Sequence, residues 1–133
     1  MSQSDFDRLA ASKYLSLTTF RKSGAAVATP VWLAADSNHL YVITESASGK
    51  AKRLRNSGRV LLAPCDSRGR MKGDQVEGSG KVLDDPADVK AVLGRIEKRY
   101  GWMAKLFGLA RTIRRTKSAQ VGLEIAVGAA SAE

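Results

Sequence analysis

The chain has a single cysteine, Cys65, so no disulfide can form within it. It also has a single histidine, His39. A catalytic triad or a histidine-based metal site needs partners that are missing. There is no second histidine and no spaced set of cysteines or carboxylates. His39 reads as an exposed turn residue, and Cys65, at the end of an apolar run, as a small core hydrophobe whose pKa the nearby Arg68 could lower. No apolar run approaches the ~20 residues that span a bilayer. The opening, MSQSDFDRLAA, lacks the apolar stretch of a secretory signal, and together with the lone cysteine this points to the cytoplasm. Aromatics are few, and no stacking platform is interleaved with the basic residues, which weakens a nucleic-acid reading. A Walker loop, GxxxxGK[ST], is missing too.

Acidic residues are also in deficit. Thirteen Asp and Glu stand against 22 Lys and Arg, leaving a net charge of +9. That favours an anionic partner: nucleic acid, an acidic membrane surface, or a phosphorylated or polycarboxylate ligand. A chain of 133 residues suits one domain, 1–133, with the Ala/Gly/Ser stretch at 128–133 as a frayed tail.

Periodicity supplies the elements. Ser4 to Ala11 reads as a short helix with Ser4 as its cap. Alternation predicts strands over KYLSLTTFR, AVATPVWLA and HLYVITE, with Gly24 turning the first hairpin. A basic helix follows, then strands over GRVLLAPC and QVEGSGKVL, whose glycines suggest bulging or close backbone approach. DDPADVKAVLGRIEKRYG is the clearest helix, with Asp85 as cap, Pro86 in the first turn and Gly101 as stop. WMAKLFGLARTIRR predicts another helix, ending in the cluster Arg111, Arg114, Arg115 and Lys117, and SAQVGLEIAV a sixth strand. The fold class is α+β, with six antiparallel strands in a closed or partly closed barrel.

Two stretches carry candidate chemistry. Pro30 lies inside ATPVWLA, where a strand needs an N–H. It marks either an edge strand or a bulge that leaves the backbone of Thr29, Val31 and Trp32 free for a planar ligand. SASGKAKRLRN crowds Lys50, Lys52, Arg53 and Arg55 behind Ser48 and Gly49. It reads either as a solvated basic helix or as an anion site at a helix N-terminus.

In order, TPVW, a strand ending in Thr44, SGKAKRLRNSGRV and VEGSGKVL resemble the pyridoxamine-phosphate-oxidase-like split-barrel superfamily. Within it they resemble the branch of deazaflavin (coenzyme F420)-dependent reductases. The resemblance covers most of residues 14–84. It implies a six-stranded antiparallel split barrel, a homodimer, and a cofactor in the groove between subunits. Thr29, Pro30, Val31 and Trp32 would then lie along the ring system. Thr44, Ser48, Gly49, Lys50 and Lys52 would hold the phosphate, with Arg53 assisting. The implied activity is hydride transfer between coenzyme F420 and a small conjugated organic substrate. The alternatives are an FMN-binding oxidase or reductase of the same fold, or a non-catalytic cofactor-binding protein. No residue is nominated as proton donor, no metal is expected, and neither nucleic acid nor a membrane span is an expected partner.

Overall fold

The structure is a computed structural model and describes residues 3–101 and 119–128. The element order is α1 (Gln3–Ala11), β1 (Tyr14–Phe20), β2 (Ala26–Val31), β3 (Ala34–Ala35), β4 (Leu40–Glu45), α2 (Gly49–Asn56), β5 (Arg59–Cys65), β6 (Val76–Leu83), α3 (Pro86–Tyr100) and β7 (Gln120–Val127). The predicted helix over WMAKLFGLARTIRR, the cluster Arg111 to Lys117 and most of the 128–133 tail lie outside the described residues.

All seven strands join one antiparallel sheet in the order β2-β1-β5-β6-β7-β4-β3. Its two edge strands are consecutive in the chain, separated only by Trp32 and Leu33. Three Cα steps reach at most about 11 Å. The edges of a flat seven-stranded sheet would stand about 29 Å apart at ~4.8 Å per strand. The sheet must therefore curl until its edges meet, which makes it a split barrel. The predicted second strand is broken here into β2 and β3, so there are seven strands rather than six.

The crossover between the edges is pinned from α3. The Leu33 N–H donates to Tyr100 Oη at 3.1 Å, and that hydroxyl donates to the Lys13 carbonyl at 2.7 Å. Arg99 donates to the carbonyls of Leu33 and Ser12, both at 2.7 Å. Trp32 stacks on the Tyr100 ring, with centroids 4.4 Å apart and planes 6° from parallel.

Alternation sets the two faces of the sheet. Leu15, Leu17, Leu40, Val42, Val60, Leu62, Leu123 and Ile125 point inward and form the main core with Phe6 and Leu9 of α1 and Leu54 of α2. On the outer face α3 lays Val92, Ile96 and Tyr100 against Ala34 and Tyr41. The caps of α3 are as expected: Asp85 accepts from the Ala87 N–H at 2.8 Å, Pro86 opens the helix, and Gly101 ends it at φ +56°. Helix α1 begins one residue earlier than predicted, at Gln3.

The β6 glycines reflect close approach rather than a bulge, since register with both neighbours is unbroken. A Cβ on Gly78 would stand 2.5 Å from the Ala126 carbonyl oxygen, and one on Gly80 would touch Leu54 of α2. The same test settles Pro30. Pairing from Leu15↔Val31 to Phe20↔Ala26 runs without interruption, so the bulge is absent. Pro30 sits on the edge strand, where its missing N–H leaves no ladder partner unmet.

Cys65 is buried, as expected. Burial pushes its thiol pKa up, and the nearby Asp66 adds to this. The opposing cation is Lys72, not Arg68. His39 is a half-buried turn residue whose N–H donates to Asp36 Oδ1 at 2.7 Å. No helix among the described residues is long and apolar enough to cross a membrane.

Candidate anion-binding site

The first hairpin and α2 meet at one end of the barrel. Arg21 and Lys22 occupy the β1–β2 turn, which Gly24 closes at φ +93° with its N–H on the Arg21 carbonyl at 2.8 Å. Across from this turn lies the exposed face of α2, where Gly49, Lys52, Arg53 and Asn56 recur at helical spacing. Together with Phe20 these residues line a groove of about 280 Å³.

Four of the seven lining residues are cationic and none is acidic. Among the described residues, Arg21, Lys22, Lys52 and Arg53 make no ion pair. Burial lowers the pKa of the Arg53 guanidinium, and the like charge of Arg21 adds to this. Like charges gathered without a counter-charge repel one another, and an anion between them relieves that repulsion.

The start of α2 is built for close approach. Ser48 caps it, its hydroxyl accepting from the Ala51 N–H at 3.2 Å. The Arg53 side chain folds back over this first turn. A Cβ on Gly49 would lie 2.5 Å from Arg53 Nη1 and 3.2 Å from Cζ. Arg53 Nε donates to Thr19 Oγ1 on β1 at 2.6 Å. A guanidinium is thus held beside the positive end of a helix dipole, the wrong sign for helix stability alone. The cations Lys98 and Arg99, by contrast, sit at the C-terminus of α3, where the dipole favours them.

The nominated residues fall into groups. Ser48, Gly49, Lys52 and Arg53 gather at or beside the groove. Lys50 does not line it. It is half-buried, and its pKa is lowered by burial and by Arg53, with Glu45 opposing. Thr44 lies on the inner side of β4, opposite Val121. Thr29 and Val31 share the inner face of β2 with Val27, which pairs with Thr19. At about 3.3 Å per residue, Thr29 and Val31 lie about 7 and 13 Å along the strand from Val27. The Thr29 hydroxyl is buried without a hydrogen-bond partner among the described residues. Pro30 points outward beside Ser16, and Trp32 packs on α3.

Sequence reasoning did not find Phe20, Arg21, Lys22, Asn56 or Thr19. The signal available was a pair of adjacent basic residues in a hairpin turn that needed only small turn formers. Among the described residues the lining contains no carboxylate, histidine or thiol. Among the described residues no group of three or more His, Cys, Asp or Glu could hold a metal. The groove can therefore bind and orient an anion.

The sequence profile of the pyridoxamine 5'-phosphate oxidase family matches residues 4–131. No curated protein matches the sequence. The fold is shared with many solved structures, among them the following three. A conserved hypothetical protein from Mycobacterium tuberculosis has a TM-score of 0.68 at 23% identity, over 96% of this chain and 81% of that one. An FAD-binding protein from Mesorhizobium loti has a TM-score of 0.65 at 17% identity, over 97% and 91%. An F420 reductase has a TM-score of 0.59 at 17% identity, over 92% of each chain. At these identities the likeness is one of fold.

Proposed function

The chain belongs to the pyridoxamine 5'-phosphate oxidase family, and from that premise we propose that it is an oxidoreductase dependent on the deazaflavin coenzyme F420. The reaction is hydride transfer between the coenzyme and a small conjugated organic substrate. The observation that carries this reading is the groove at α2, with Arg21, Lys22, Lys52 and Arg53 and no carboxylate.

The residues present fit an anionic, planar cofactor. Arg53 and Lys52, with Arg21 and Lys22 opposite, hold the phosphate, and Ser48 and Gly49 keep the first turn of α2 capped and free of bulk. Thr29 and Val31 offer an inner strand face for the ring, with Pro30 on the edge strand, while Trp32, stacked on Tyr100, braces the outer side of the crossover that follows β2. Thr44 on β4 and Lys50 on α2 lie outside the groove's lining. When bound, the coenzyme supplies hydride chemistry at its ring, and the protein contributes position and field. The chain acts as a homodimer in which the second subunit walls the groove, and light scattering that gives only monomer would remove that shared site.

Coenzyme F420 is preferred to FMN because its phosphodiester and glutamate tail present more negative charge to the four cations of the groove. Titration of the purified protein with each cofactor, followed by ring fluorescence, tests this. Tighter F420 binding that weakens with added salt is the expected result. Equal or tighter FMN binding would make the protein an FMN-dependent oxidase or reductase. Binding of either cofactor without hydride transfer to any conjugated acceptor would make it a carrier.

A further inference from the structure

We infer that Thr19, which does not line the groove, is the positioning residue for the anion-binding guanidinium of Arg53. This rests on the anionic reading of the groove.

Thr19 is fully buried on the inner face of β1, two residues before Arg21. Its hydroxyl accepts from Arg53 Nε at 2.6 Å. That contact uses the one guanidinium N–H that points back along the side chain. The two terminal nitrogens keep their N–H groups for a ligand, in the fork that suits a phosphate. The acceptor is neutral. A carboxylate in its place would hold the guanidinium as firmly but cancel its charge. A threonine fixes the geometry and leaves the full positive charge for the groove.

Gly49 completes the device from the other side. The guanidinium fills the space where its Cβ would stand, so a side chain there must push Arg53 aside. Thr19 holds the guanidinium from the sheet and Gly49 makes room for it on the helix. Neither needs to touch the ligand.

The probe is inorganic pyrophosphate, titrated by calorimetry at low salt against the full chain. Wild type binds it, and Thr19→Val, which keeps the shape and removes the acceptor, weakens binding about tenfold. Thr19→Ser restores binding to near the wild-type value. Arg53→Lys weakens binding by itself, and Thr19→Val adds nothing in that background, because the two residues act as one unit. Gly49→Ala displaces the same guanidinium and lowers affinity with Thr19 intact. Wild-type affinity in Thr19→Val overturns the inference, and where Thr19→Val fails to fold, Thr19→Ala takes its place with the same expected loss. Fully additive losses from Thr19→Val and Arg53→Lys overturn it as well, as does a wild type that does not bind pyrophosphate. If pyrophosphate follows the expected pattern while neither FMN nor coenzyme F420 binds, the positioning role stands and the proposed function falls.

Discussion

Tyr100→Phe isolates one hydroxyl at the crossover between the two sheet edges. The ring survives the change, so its stacking on Trp32 and its contacts in the outer core remain. What disappears is the acceptor for the Leu33 N–H and the donor to the Lys13 carbonyl. Leu33 is fully buried, so water cannot replace the lost partner. A buried N–H left without a partner costs about 1–3 kcal/mol, and the Lys13 bond adds about 1 kcal/mol. Arg99 still holds the Leu33 carbonyl, so the crossover stays in place and the loss should sit near the middle, about 2–3 kcal/mol. For a chain of this size that corresponds to a fall in Tm of roughly 6–12 °C. Urea denaturation should show the midpoint lowered with an unchanged slope, since the buried surface is the same. Burial raises the phenol's pKa, so the hydroxyl remains a donor at neutral pH and the effect should not vary there. A loss below about 0.5 kcal/mol, the size of an ordinary surface change, would refute the reasoning.

Other perturbations follow from the same contacts. Gly78→Ala forces a methyl against the Ala126 carbonyl and Leu62, and should cost about 2–4 kcal/mol by chemical denaturation. Asp36 feels burial, which raises its pKa. The N–H groups of Asn38 and His39 and the Tyr41 hydroxyl outweigh that and hold it below 3.8. Its contribution to stability is therefore present above its unfolded pKa and lost as pH falls through the lower, folded value. Asp36→Asn should be less stable than wild type at pH 7, with the gap in Tm closing in strong acid. A gap that widens in acid would reverse the sign. Lys52→Ala should weaken cofactor binding more than Lys50→Ala, because Lys52 lines the groove and Lys50 does not. Fluorescence titration giving the opposite order would put the phosphate at Lys50.

The sequence carried much of this because local chemistry decided it. Asp85 and Pro86 mark the start of α3 by capping alone. Strand character alone marked KYLSLTTFR, HLYVITE and SAQVGLEIAV as β1, β4 and β7. The break after Val31 was illegible, because AVATPVWLA alternates straight through it. What interrupts the strand is contact with Arg99 and Tyr100, which lie some 67 residues away. The groove was half legible. A helical wheel groups Gly49 with Lys52, Arg53 and Asn56, yet it cannot say which side faces the hairpin. The sheet decides that: Leu54 must pack near Gly80, which turns Lys52 and Arg53 toward Arg21. Thr19 gave no signal at all, since a threonine in a strand needs no explanation.

Among the described residues β7 is the last element in chain order, but it lies in the interior of the sheet, between β6 and β4. On a ribosome, which releases the N-terminal end first, the barrel therefore cannot close until Gln120–Val127 has emerged. Until then the hairpin of β1 and β2 and the pairs β1–β5 and β5–β6 can form, while β4 and β6 each keep one side unmatched. Those sides are open templates for another chain's strand, and the nascent protein carries each from the completion of its strand until β7 emerges. The time spent in that state is set by translation rate rather than by native stability. A slow stretch of message before residue 120 would prolong it.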